Sequence, residues 1–188
     1  MSRLIVSNIE TQNIKFDSDT TAFTIGSDGA TAFSGAVKNV IQTAQALKTD
    51  VFSTSSTSFT DITGLSVDIT PKFSTSKILV AYHVTVGHNT QSQNTVQLVR
   101  QVSSSDTIIN PVAYNQGTSI QYTGSSDAGW DREVMSYQFL DSPSTTSAVN
   151  YRLRTYIYSA SVIQYINRCH NSSNATGTST LTVQEIAQ

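Results

Sequence analysis

Three histidines and one cysteine are the side chains of this 188-residue chain best suited to act as bases, nucleophiles or metal ligands. A hydrolase would pair a histidine with a serine, but the nucleophile-elbow pattern Gly-x-Ser-x-Gly does not occur. Cys169 and His170 are the one pair of soft ligands, and neighbours on a strand point to opposite sides. Zinc needs three or four ligands at workable spacing. We therefore expect no enzymatic activity, no metal and no cofactor. His83 is expected at a surface or interface, and His88 in a turn.

Trp130 lies in the densest cluster of charged and aromatic residues, with Asp127, Asp131, Arg132 and Glu133 around it. A tryptophan beside acids in a loop could stack on a sugar, which would make the chain a carbohydrate-binding module. The favoured interpretation is a core or interface anchor with solvated neighbours. A glycosidase does not follow, because the separation of the carboxylates is unknown.

Residues 151–158 place Arg152, Arg154, Tyr156 and Tyr158 on one face of a predicted strand. Arginine and tyrosine are enriched in protein–protein interfaces. This face is therefore a candidate interface, together with Trp130 and Asp131. The alternative is an amphipathic outer face along which the arginine stems lie.

Serine and threonine fill more than a quarter of the chain and alternate with valine, isoleucine, leucine and aromatic residues. This spacing gives a strand one apolar and one hydroxylated face. Short segments of this kind, separated by polar turns, predict an all-β fold: an antiparallel β-sandwich, with a jelly roll as first choice. Strands are predicted at 59–69, 77–86, 95–102, 107–109, 134–140, 151–158, 162–167 and 180–186.

Residues 36–50 show a different period and predict a short amphipathic helix or linker. The apolar stripe consists of Val37, Val40, Ile41, Ala44 and Leu47. A helix this short is unstable alone, so it would pack on the following domain or on symmetry mates at the axis of an oligomer.

Residues 1–35 contain short strand fragments, and a glycine-rich turn at 26–29 predicts a β-hairpin. They are too poor in apolar residues to bury a core alone, so a partner surface or other copies would order them. The predicted domains are thus an arm at 1–35, the helix at 36–50 and a sandwich at 51–188.

The net charge of −2, with 11 basic residues that do not cluster, excludes a basic nucleic-acid surface. The apolar run at 4–6 is too short for a signal peptide, and no apolar run approaches membrane-spanning length. We expect a protein made in a cytoplasm that leaves it by lysis or a special route.

Five segments resemble structural proteins of tailed bacteriophages. Residues 53–71 (STSSTSFTDITGLSVDITP) and 76–80 (SKILV) are similar to the opening of a C-terminal module of such proteins. Residues 139–147 (FLDSPSTTS) and 179–186 (STLTVQEI) resemble later parts of it. Residues 23–35 (FTIGSDGATAFSG) resemble a hairpin near the start of phage fibre proteins.

This resemblance implies a homotrimeric component of the phage particle with a jelly-roll knob similar to the tumour-necrosis-factor type. Its arm would bind other capsid or tail proteins, and its knob would face the host surface and possible host glycans. The chain is short for a long tail fibre. A short fibre and a capsid decoration (cement) protein therefore both stay open.

Overall fold

The computed structural model describes residues 13–15, 21–25, 31–33, 39–109, 117, 119–123, 130 and 132–188. The chain forms two compact units, Met1–Asn39 with Gln188, and Val40–Ala187. In the first unit, β1 (Asn13–Lys15), β2 (Thr21–Ile25) and β3 (Thr31–Phe33) form an antiparallel sheet in the order β1-β2-β3. Phe23 pairs with Phe33, so the strands predicted on either side of the glycine-rich turn are antiparallel partners. The predicted turn at 26–29 lies outside the described residues.

The second unit is built from strands throughout its described residues. They are β4 (Val40–Lys48), β5 (Phe52–Thr54), β6 (Thr60–Ile69), β7 (Lys77–His88), β8 (Ser92–Val102), β9 (Ser105–Ile108), β10 (Ser119–Thr123), β11 (Glu133–Asp141), β12 (Val149–Tyr156), β13 (Gln164–Ile166), β14 (Arg168–Cys169), β15 (Ser172–Thr176) and β16 (Ser179–Ile186).

Two antiparallel sheets carry the long strands. In the first sheet the order is β4-β16-β7-β11, and β13 pairs with both β7 and β5. In the second sheet the order is β6-β12-β8-β10, and β9 also pairs with β8. The chain crosses repeatedly between the two sheets, and this pairing is that of an eight-stranded jelly roll. The predicted fold class, an all-β antiparallel sandwich of the jelly-roll type, is confirmed.

Alternating burial along β6 shows how the hydroxyl-rich sequence forms this fold. Leu65, Val67 and Ile69 are buried, and the polar residues between them are exposed. Gly64 adopts a φ of 85°, a conformation that favours glycine. The register against β12 shifts beside it, so Ile62, three residues before Leu65, is also buried.

The core lies between the sheets and is made of aliphatic side chains from both. Each fully buried aliphatic side chain contributes about 1.5–3 kcal/mol of transfer free energy. The core includes Ile78, Val80, Val84, Leu181 and Val183 from the first sheet and Leu65, Val96, Leu98, Val149 and Leu153 from the second.

The helix predicted at 36–50 is wrong where the structure describes it, because Val40–Lys48 is strand β4. Along β4, Ala44 and Ala46 pack against the core while Leu47 is 60% exposed, so the apolar stripe is not one buried face. A lone three-turn helix has little stability, whereas β4 gains a ladder of backbone hydrogen bonds with β16. Val37 lies outside the described residues. β4 also belongs to the sandwich unit, which begins at Val40 rather than at 51.

The C-terminal strand β16 lies between β4 and β7, as a strand held inside the sheet. Its Glu185 is fully buried, and its carboxylate accepts hydrogen bonds from the backbone N–H of Lys72 at 2.7 Å and from the Gln42 amide. A buried carboxylate needs such donors. Glu185 thereby ties the turn before β7 and the edge strand β4 to the last strand.

Candidate interaction surfaces

The interior of the sandwich contains a charged cluster formed by Arg100, Asp141 and Tyr151. Arg100 Nη1 lies 2.8 Å from both carboxylate oxygens of Asp141, and the Tyr151 hydroxyl donates to Asp141 Oδ2 at 2.6 Å. Burial and this hydrogen bond raise the pKa of Tyr151 well above its usual range. These hydrogen bonds join β8, β11 and β12 between the sheets, so the cluster is structural. Arg100 Nε is buried and has no hydrogen-bond partner among the described residues.

The three histidines are in different surroundings. His83 is exposed on β7, as expected. His88 is the fully buried last residue of β7, so the prediction that it lies in a turn is wrong. Neither of its ring nitrogens has a hydrogen-bond partner among the described residues, and burial lowers its pKa from 6.5 to about 4. His170 Nδ1 lies 2.9 Å from the Tyr165 hydroxyl, and Cys169 is buried.

Neither a metal-ligand cluster nor a membrane-spanning helix occurs in the described part of the chain. Within it, no group of three or more His, Cys, Asp or Glu side chains could hold a metal ion. The same residues include no helix long and apolar enough to cross a membrane.

The arginines of the predicted interface lie on the outer face of the second sheet, between two aspartates. Arg152 contacts Asp106 at 2.6 Å and Asp61 at 3.3 Å. Arg154 contacts the same two carboxylates at 2.8 and 2.7 Å. The four charges cancel, and we call this set the arginine–aspartate cluster. Burial acts to raise the pKa of Asp106, but hydrogen bonds from Arg152 and Gln101 outweigh it and hold that pKa below its usual value.

The other candidate interface residues are in different surroundings. Tyr156 shares the face of Arg152 and Arg154, and its ring lies 5.0 Å from that of Phe59. Tyr158 follows the end of β12 and is 69% exposed. Trp130 is 61% exposed, and Asp131 lies outside the described residues. The structure therefore groups Arg152, Arg154 and Tyr156 but does not extend that group to Tyr158. Their role in an interface stays a prediction.

The outer face of the first sheet has no counterpart in the sequence-based predictions. Its outward side chains align in three rows across β11, β7, β16 and β4. None of them is Asp, Glu, Lys or Arg, and we call this surface the charge-free face. The rows are Leu140, Leu79, Gln184 and Thr43; Gln138, Ala81, Thr182 and Gln45; and Ser136, His83, Thr180 and Leu47.

Hydrogen bonds between neighbouring strands order the polar groups of the charge-free face. Gln45 Nε2 donates to Thr182 Oγ1 at 2.8 Å, and Gln184 Nε2 donates to Thr43 Oγ1 at 3.4 Å. Apolar side chains lie at its corners, where Leu47 is 60% and Leu140 is 49% exposed. Sequence reasoning missed this face because its members come from four strands that are distant in the chain.

No protein-family model matches this sequence, and no curated protein matches it. Among solved structures, one similar chain is in the structure of infectious bursal disease virus Gx strain, with a TM-score of 0.40 and 12% identity. Another is in the infectious bursal disease virus VP2 subviral particle, with a TM-score of 0.37 and 14% identity. Both alignments cover 92% of this chain but only 44% and 43% of the other chain. The chain thus spans less than half the length of these proteins.

Proposed function

We propose that this chain is a non-enzymatic structural protein on the exterior of a bacteriophage particle. The observation that carries this proposal is the jelly-roll pairing of β4-β16-β7-β11 with β6-β12-β8-β10, which supports the fold implied by the resemblance to phage structural proteins. The described charges also favour a scaffold, since the Arg100–Asp141 pair and the arginine–aspartate cluster are neutralised within the chain.

In its specific form, the proposal is a homotrimeric short fibre. Residues 1–35 would bind capsid or tail proteins, and the sandwich would present its loops to the host surface. The antiparallel sheet β1-β2-β3 supports this role for the arm, because its edge strands β1 and β3 offer edges on which a partner chain can add. The alternative within the same class is a capsid decoration protein, in which the sandwich binds the head instead of a host.

Proteomics of particles purified by density gradient tests the proposal. The expected result is that the chain co-purifies with the major structural proteins at a fixed ratio and remains after a high-salt wash. Deletion of residues 1–35 should abolish particle binding and leave the sandwich folded. A chain found only in the soluble lysate, and never in purified particles, would overturn the proposal.

A second candidate function is a carbohydrate-binding module, and the exposure of Trp130 favours it. An indole that is 61% exposed offers a flat apolar surface with a polar N–H, which suits stacking on a sugar ring. Glycan-array binding that is lost in Trp130→Ala and kept in Tyr158→Ala would support this function. Equal binding by the two variants would argue against it.

A further inference from the structure

The two outer faces of the sandwich differ in charge. The second sheet has the arginine–aspartate cluster and exposed Asp68 on its outer face. Charged residues flank the charge-free face at both ends. Lys77, the first residue of β7, has its Nζ 2.5 Å from Ser142 Oγ, and Arg132, which directly precedes β11, donates from Nη1 to the Thr176 carbonyl at 3.4 Å. An exposed sheet face normally includes charged residues, because they keep it soluble and prevent association.

A surface without charge is electrostatically compatible with a copy of itself. When two identical surfaces meet, any charge near the symmetry axis faces a like charge, which is unfavourable. Glutamine and threonine side chains avoid this problem because each can both donate and accept a hydrogen bond. Gln45 and Thr182 lie side by side at 2.8 Å near the middle of this face. A second copy would meet matching donors and acceptors.

The size of the face suits the centre of a protein interface. Four strands about 4.8 Å apart and three rows about 6.7 Å apart give roughly 400 Å² in projection. A standard interface takes about 800 Å² of accessible surface from each partner, of which the central part is depleted in charge and the rim is polar. Val134, 48% exposed, adjoins the face on β11 and extends its apolar area.

We infer that the charge-free face is the surface through which the sandwich binds a second copy of this chain. The inference rests on the proposed function only in that copies of the chain assemble on a particle. A contact between two identical faces joins two copies, so it is separate from the contacts that would close a homotrimer. It also locates self-association on the sheet opposite Arg152 and Arg154, whose charges are already paired within the chain.

Sedimentation of the full chain tests the inference with two matched substitutions. Thr182→Lys adds a charge at the middle of the face, and Thr63→Lys adds the same charge to an exposed position on β6 of the other sheet. The expected result is a dissociation constant for self-association weakened at least about tenfold by Thr182→Lys and changed less than about twofold by Thr63→Lys. If Thr182→Lys disturbs folding, as judged by circular dichroism, Gln138→Lys on β11 replaces it.

Two results would overturn the inference. One is self-association that tolerates both Thr182→Lys and Gln138→Lys, and the other is a wild-type chain that is monomeric at the highest soluble concentration. The particle assay separates this failure from failure of the proposed function. If the chain is present in purified particles but its association is insensitive to these substitutions, only the contact surface is wrong. If it is absent from particles, the proposed function fails.

Discussion

Arg152 Nη2 lies 2.6 Å from Asp106 Oδ2, on the outer face of the second sheet. The pair joins β12 to β9, and its two residues are 46 positions apart in the chain. Asp61 on β6 completes the contact from the other side. Arg152, which the sequence predicts to contact a partner protein, is therefore paired with two carboxylates of its own chain.

Replacing Asp106 by Asn should destabilise the fold, because Arg152 is only 9% exposed and would keep one carboxylate at 3.3 Å. We expect a loss of about 1–3 kcal/mol in the free energy of unfolding, measured by urea denaturation. Asp68→Asn is the control, since Asp68 is exposed and accepts a hydrogen bond from the neutral Asn150 Nδ2, and it should cost less than about 0.5 kcal/mol. Similar losses in the two variants would contradict this account of the cluster.

Tyr151→Phe should weaken the sandwich by removing one donor to the buried carboxylate of Asp141. The hydroxyl–carboxylate contact is 2.6 Å and fully buried, and loss of a hydrogen bond to a charged group costs about 1.5–3 kcal/mol. Tyr158→Phe is the matched change at a side chain that is 69% exposed, and its melting temperature should equal that of the wild type. An unchanged melting temperature in Tyr151→Phe would show that Arg100 alone satisfies Asp141.

Stability should fall in acid because of His88, whose pKa is lowered by burial from 6.5 to about 4. Between these two values the unfolded chain binds a proton that the folded chain does not, so stability decreases as pH falls through this window and is unaffected above it. At pH 4 this lowered pKa should reduce the free energy of unfolding by about 3 kcal/mol relative to neutral pH.

His88→Leu should flatten this dependence in denaturant unfolding followed from pH 7 to pH 4, because leucine does not titrate. His83→Gln, at an exposed position of the same strand, should retain the wild-type slope. A His88→Leu variant with the wild-type slope would show that other groups cause the acid sensitivity.

Cross-linking can verify that Val40–Lys48 is a strand. Gln45 and Thr182 are direct partners in the antiparallel pair of β4 and β16, and such partners have Cα atoms about 4.5–5.5 Å apart, which suits a disulfide. The double variant Gln45→Cys/Thr182→Cys should therefore form an intrachain disulfide under mild oxidation, detected by peptide mapping. The control double variant Gln45→Cys/Gln184→Cys places the two cysteines two residues out of register. It should form far less of the intrachain disulfide. Equal yields would indicate that β4 is not held in this register.

The alternation of hydroxyl and apolar residues was enough to predict the sandwich. Leu65, Val67 and Ile69 are buried as their spacing indicates, because period-two burial is a local property of a strand. The helix over 36–50 failed for a non-local reason. Val40, Ile41, Ala44 and Leu47 have helical spacing, but hydrogen bonding to β16, some 140 residues later in the chain, decides the conformation.

The surfaces were harder to predict than the fold, because each is assembled from distant strands. The positions of Arg152 and Arg154 on one face follow from their spacing, but their partners Asp61 and Asp106 come from two other strands. The charge-free face depends on the order β11-β7-β16-β4, which no local pattern contains. Only the sheet topology shows which polar side chains share a surface.

Electron microscopy of intact particles with an antibody against the sandwich is the most direct test of the central claim. The expected result is label at regular exterior sites, on the head if the chain is a decoration protein and on the tail or its fibres if it is a fibre. Antibody that binds the purified chain but never decorates intact or disrupted particles would contradict a role as an exterior structural protein.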